Sequence, residues 1–183
     1  MIIGLTGKIA AGKGSAVSYF VKRGFRYITI SDLIKQELVK RGMELVRENY
    51  QNLGDEVRRK EGSGAWIKRM NLSENENVVI DGIRNPGEVL ELKKHKDFFL
   101  IAIEAPQETR YRRIVDRGKE GDKMSWDNFI LMDNREIKQT DSSKMQLQEC
   151  LDMADFKIEN NSSIQDFNRK LEEVYGVLNK STI

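Results

Sequence analysis

The 183 residues suffice for one domain with a substantial core and are too few for two, and 31 Lys+Arg against 29 Asp+Glu leave a net charge of only +2. No overall field draws nucleic acid or an anionic membrane, so an anion site must be local and the partner is expected to be a small molecule. A single cysteine, Cys150, and a single histidine, His95, exclude a disulfide framework, a Cys-rich zinc site and a multi-histidine metal centre, and a reducing cytoplasmic setting is expected.

The opening MIIGLTGKIAAGKGS lacks a basic segment followed by a long apolar one, and no stretch approaches the roughly 20 apolar residues that span a bilayer. A soluble protein, monomer or homodimer, is expected. In chain order, a short apolar strand over 1–6 leads into a helix over 14–22, then a strand over 27–30 and a helix over 32–41 that opens on Ser31-Asp32. A helix over 56–70, broken near Gly62 and Gly64, precedes strands over 78–80 and 98–104, with a helix over 88–94 between them. Helices over 106–117 and 126–137 flank a candidate mobile loop at 117–124, and a strand over 156–159 and a helix over 164–178 close the chain. Cys150, beside Leu147 and Leu151 in a helical segment, reads as a buried small hydrophobe. Strand and helix alternate, so the class is α/β with a mostly parallel sheet.

Directly after the first strand stands Gly7-Lys8-Ile9-Ala10-Ala11-Gly12-Lys13-Gly14-Ser15, a G-x-x-x-x-G-K phosphate-binding loop in its required context between strand and helix. Glycines let the backbone curl around a phosphate, the next helix presents its positive end to the same anion, and Lys13 supplies a mobile charge. The residue after the lysine normally offers a hydroxyl to magnesium; here Gly14 stands there, and Ser15 takes the role.

Asp81 ends the third strand, at the carboxyl edge where ligands of open α/β sheets collect, and suits a magnesium water shell; a turn aspartate in a D-G dipeptide is the alternative. Asp32 fits equally a helix N-terminal charge, a metal ligand, or a group orienting an acceptor hydroxyl. Arg110, Arg113 and Arg117 share one helical face, and three like charges there call for an anion. Trp66 and Tyr50 read as core aromatics rather than base-stacking platforms.

The GKG-Ser loop resembles that of adenylate kinase and its relatives. The segment Asp81-Gly82-Ile83-Arg84-Asn85-Pro86 is similar to the DG-x-P-R segment of nucleoside monophosphate kinases, with arginine and proline in a different order, and Arg113-Ile114-Val115-Asp116-Arg117 resembles the run at the base of the adenylate kinase lid. RENYQNLGDEVRR is similar to a stretch in phage deoxynucleoside monophosphate kinases and in an uncharacterised archaeal kinase-like family. The ending Ala154-Asp155-Phe156-Lys157-Ile158-Glu159-Asn160, with the GLTG opening, resembles dephospho-coenzyme A kinase, the close competitor.

The resemblance runs over nearly the whole chain. It implies a P-loop NTPase three-layer fold in one kinase domain over 1–183, a five-stranded parallel sheet flanked by helices, with an acceptor-binding arm at about 31–72 and a short lid at about 117–135. It implies ATP with Mg²⁺ on the loop, Ser15 and Asp81 at the metal, Arg84 on the acceptor phosphate, and Arg113, Arg117 and Arg135 neutralising charge as the lid closes. A (deoxy)nucleoside monophosphate is the expected acceptor; a nucleotide-binding switch with weak ATPase is the alternative of another class.

Overall fold

The computed structural model describes residues 1–73, 76–118, 125–135 and 144–181. Five parallel strands, β1 (Ile2–Thr6), β2 (Arg26–Thr29), β3 (Val78–Asp81), β4 (Phe98–Glu104) and β5 (Phe156–Glu159), lie in the order β2-β3-β1-β4-β5. β1 is central and buried along its whole length, as its run of Ile2, Ile3 and Leu5 dictates. The chain places β3 on one side of β1 and β4 on the other, so the order switches at β1, and the phosphate loop leaves β1 at that switch point.

Alternation along the strands divides the core between two faces. On one face Ile3, Leu5, Val79, Ile101 and Ile103 meet Phe20 of α1 (Lys13–Val21) and Phe167 and Leu171 of α9 (Ile164–Ser181). On the other, Ile2, Val78, Ile80 and Leu100 meet Ile34 and Leu38 of α2 (Ile30–Lys40), Leu53 and Val57 of α3 (Arg47–Glu61) and Trp66 of α4 (Ala65–Lys68). Each such large apolar side chain contributes about 1.5–3 kcal/mol on leaving water. Two short helices, α5 (Pro86–Leu92) and α8 (Leu147–Asp152), add Val89, Leu92 and Cys150 to this face, and α6 (Gln107–Arg117) follows β4. Cys150 of α8 is fully buried, as expected, and burial pushes its thiol pKa well above the usual range. The helix α7 (Trp126–Arg135) packs Trp126 and Phe129 on Tyr111 of α6, with ring centroids 5.1 and 5.4 Å apart.

Several boundaries differ from expectation. Ile30 belongs to α2 rather than β2, because the Thr29 hydroxyl accepts from Ser31 N at 3.2 Å and caps the helix two residues early. α3 begins at Arg47, well before the expected start at 56, because Gly54 is a packing residue inside the helix and not a break. A Cβ there would lie 3.4 Å from Ile34 Cδ1 and 3.3 Å from Arg58 Nη1, and the Gly54 carbonyl accepts the Trp66 indole N–H at 3.3 Å. Gly62, at φ +95°, is where the chain breaks between α3 and α4. Of the expected loop at 117–124 and helix end at 136–137, residues 119–124 and 136–137 lie outside the described residues. No described helix is long and apolar enough to cross a membrane.

Candidate functional site

Gly7–Ser15 curls from the end of β1 into α1. Gly7 and Gly12 adopt φ of +146° and +117°, strained for any L side chain. Neither tolerates a Cβ: on Gly7 it would overlap the Ile103 carbonyl oxygen, and on Gly12 the side-chain amide of Asn160. Lys13 Nζ turns back over the loop and donates to the carbonyls of Gly7 at 2.7 Å and Lys8 at 3.1 Å. Its ammonium therefore sits at the mouth of the cradle, beside the positive end of α1. Two glycines without room for a side chain, a lysine folded over the turn and a helix N-terminus fit a bound triphosphate chain.

Asp81 is level with Leu5 of β1 and Thr29 of β2, and its Oδ1 accepts Gly82 N at 2.6 Å. Ser15 is exposed in the first turn of α1. A hydroxyl and a carboxylate are hard oxygen donors of the kind magnesium takes, and no cluster of three or more His, Cys, Asp or Glu side chains exists among the described residues. A magnesium ion here would rest on these oxygens, on water and on the phosphates themselves.

The three arginines of one helical face find different partners. Arg110, 1% exposed, forms a two-pronged ion pair with the buried Asp133 of α7, at 2.6 and 2.8 Å, and donates through Nε to the Ala105 carbonyl at 3.0 Å. Burial alone would raise the Asp133 pKa; the Arg110 hydrogen bonds and charge, aided by Lys8 at 3.7 Å and Gln107 at 3.0 Å, outweigh it and hold the carboxyl below its usual range. Arg113 turns its guanidinium onto the phosphate loop, with Nη1 3.4 and 3.2 Å from the Ala10 and Ala11 carbonyls and Nη2 3.0 and 3.1 Å from the Asn160 backbone and side-chain oxygens. Burial pulls its pKa down from the ordinary arginine value. Arg117 is exposed at the end of α6, one turn beyond Arg113. Arg135 ends α7, and its side chain lies outside the described residues.

Beside the loop opens a cavity of about 360 Å³, bounded by Ile9, by Ile34 of α2, and by Tyr50 and the arginines Arg47, Arg58 and Arg84. Arg84 reaches it from the turn after β3, with Nη1 3.6 Å from the Met145 sulfur. That turn is fixed by Glu88, fully buried, whose Oε2 accepts the backbone N–H of Arg84 at 3.0 Å and of Asn85 at 3.1 Å. The same carboxylate takes Arg58 of α3, Nε to Oε1 at 3.0 Å, so the helix that walls the cavity and the turn that carries Arg84 share one anchor. Arg58 also meets Asp55 at 3.2 Å. A second hollow of about 600 Å³ continues along α3 toward α7 and shares Arg47, Gln51, Asp55 and Met145 with the first. Asp32 stands exposed in the first turn of α2, next to the cavity-lining Ser31.

Arg84, the loop and Asp81 thus gather at one sheet edge, with Arg113 behind the loop. Glu88, Asp133 and Asn160 are the residues that sequence reading did not assign. Asn85-x-x-Glu88 is a capping-box pattern and gave a local signal for Glu88, and Asn160 stood at the end of the quoted strand motif. Asp133 had no local signal, because its partner lies 23 residues away.

The profile of the AAA domain family matches residues 3–141. A UPF0200 protein of Methanocaldococcus jannaschii is 33% identical over 181 residues, covering 95% of this chain and 88% of that protein. The chain belongs to the UPF0200 family. Among solved structures, dephospho-CoA kinase from Campylobacter jejuni superposes with a TM-score of 0.56 at 19% identity, over 100% of this chain and 98% of that one. Shikimate kinase from Aquifex aeolicus gives 0.56 at 13% identity, over 100% and 98%. At these identities the likeness is one of fold: this UPF0200 chain has the P-loop kinase fold, a five-stranded parallel sheet flanked by helices.

Proposed function

We propose that this UPF0200 protein transfers the γ-phosphoryl group of ATP to a (deoxy)nucleoside monophosphate, giving the diphosphate. One observation carries the reading: an arginine-lined cavity opens beside a phosphate loop, at the switch point of the sheet. A phosphate-bearing acceptor seated on Arg84 and Arg47 would lie next to the mouth of the loop, and the apolar wall of Ile9, Ile34 and Tyr50 suits the flat face of a base.

In this scheme residues 7–15 hold the triphosphate, and Lys13 leaves its loop carbonyls to meet the β- and γ-phosphates. Ser15 and Asp81 hold magnesium, which supplies charge neutralisation to the transferring group. Arg84 fixes the acceptor phosphate. Arg117 and Arg135 flank the proposed lid at 117–135 and bring positive charge as it closes, and Asp32 orients the acceptor from the proposed arm at 31–72. No covalent enzyme intermediate is required, because in-line transfer needs only positioning and charge.

A second reading, dephospho-coenzyme A as acceptor, is favoured by the ending 154–160 and by the hollow that continues along α3, which has room for a longer molecule. Coupled ADP release with ATP-Mg²⁺ against ribo- and deoxynucleoside monophosphates and dephospho-coenzyme A decides between them. Selective turnover of one monophosphate, reduced about a hundredfold or more in Lys13→Ala, is the expected outcome. Turnover of dephospho-coenzyme A alone would move the assignment to the second reading, and ATP binding with no turnover of any acceptor would favour a nucleotide-dependent switch.

A further inference from the structure

The phosphate loop has two sides, and the one turned away from the cradle is occupied by a built contact. Asn160, 6% exposed and following β5, donates through Nδ2 to the Ala11 carbonyl at 2.8 Å. Its backbone N–H is tied to Glu104 of β4 at 2.7 Å, so the residue is fixed to the sheet. Arg113 adds the bonds from Nη1 to the Ala10 and Ala11 carbonyls, and its Nη2 holds both oxygens of Asn160. Ala10, at φ 58°, is the one positive-φ residue other than glycine in the chain's described part, and it lies in the segment these donors grip. Left-handed backbone at alanine is unfavourable and persists only where surrounding contacts over-determine it. Gly12 completes the fit, since any side chain there would collide with the Asn160 amide.

We infer that Asn160 and Arg113 are positioning residues that grip the carbonyl side of the phosphate loop and thereby hold it in its phosphate-binding conformation. Drawing the Ala10 and Ala11 carbonyls onto the clamp turns those peptide dipoles away from the cradle. The guanidinium also adds a fixed positive charge behind it. For Arg113 this replaces a direct contact with the transferring phosphoryl group. The role rests on the proposed binding of ATP, though not on the identity of the acceptor.

The test compares ATP, ADP and adenosine, with Mg²⁺ present, on wild type, Asn160→Asp and Arg113→Lys, by competition against a fluorescent ATP analogue. Asn160→Asp keeps the oxygen that Arg113 holds but sets a carboxylate against the Ala11 carbonyl; Arg113→Lys keeps the charge and loses the fork. ATP and ADP are expected to bind roughly tenfold more weakly to Asn160→Asp, with a smaller loss in Arg113→Lys and adenosine changed less than twofold. Equal weakening of adenosine and ATP would place these residues at the base and overturn the inference, as would unchanged ATP binding in both variants. Should Asn160→Asp fail to fold, Arg113→Lys reads the same comparison. Wild-type protein that binds no ATP would sink the kinase proposal itself, a result distinct from wild-type binding that the variants leave untouched.

Discussion

Arg84 reaches the proposed acceptor cavity from a turn that Glu88 holds by two backbone N–H groups, so its position does not depend on a flexible loop. The side chain therefore acts as a preset cation, and its removal should register in the acceptor and not in the nucleotide. In Arg84→Gln, the KM for the acceptor is expected to rise roughly tenfold to a hundredfold with the KM for ATP nearly unchanged, as steady-state kinetics with each substrate varied would show. Parallel rises in both constants would place Arg84 outside the acceptor site. The resemblance of DGIRNP singled out Arg84 from sequence. Its anchor was half legible: Asn85-x-x-Glu88 spells a capping box, but the tie from Glu88 to Arg58 spans 30 residues and leaves no local trace.

At the scale of elements, the strands were the most legible part, because short apolar runs bounded by turn residues have few other ways to bury both faces. Helix limits were less so. The helix expected from 56 starts at 47 and runs through Gly54, a poor helix former whose missing side chain leaves room for the close approach of Ile34 and Arg58. The like-charged face of α6 was read as wanting an anion, and for Arg110 the anion is the protein's own Asp133. That pair ties α7 to α6, and through Lys8 it touches the phosphate loop. The Asp133 carboxyl is held below its ordinary range, so its contribution to stability is complete above about pH 5 and is lost as pH falls through the ordinary and then the lowered value. Thermal melts of wild type should hold level from neutral pH to about pH 5 and fall steeply below about pH 4. Asp133→Asn should melt lower at pH 7 and show a shallower acid limb, since the titrating group is gone; an identical acid limb in the variant would show that the pair does not set it.

Across the whole molecule, the two apolar faces of one sheet place the phosphate loop, Asp81 and Arg84 at a single carboxyl edge, with α3 and α7 bordering the adjoining hollows. Fold and phosphate loop were readable because both are written in local patterns, the first in alternating strands and helices and the second in one contiguous run at 7–15. The cavity proposed for the acceptor was not, because its wall joins Ile9, Tyr50 and Arg84 from distant parts of the sequence. In the proposed reaction the γ-phosphoryl group moves to an acceptor and not to water. Incubation with ATP labelled at the γ-phosphorus, Mg²⁺ and the acceptor panel, followed by separation of the products, tests it most directly. Label in a nucleoside diphosphate is the expected result, and label found only in inorganic phosphate, with every acceptor unlabelled, would refute transfer to an acceptor.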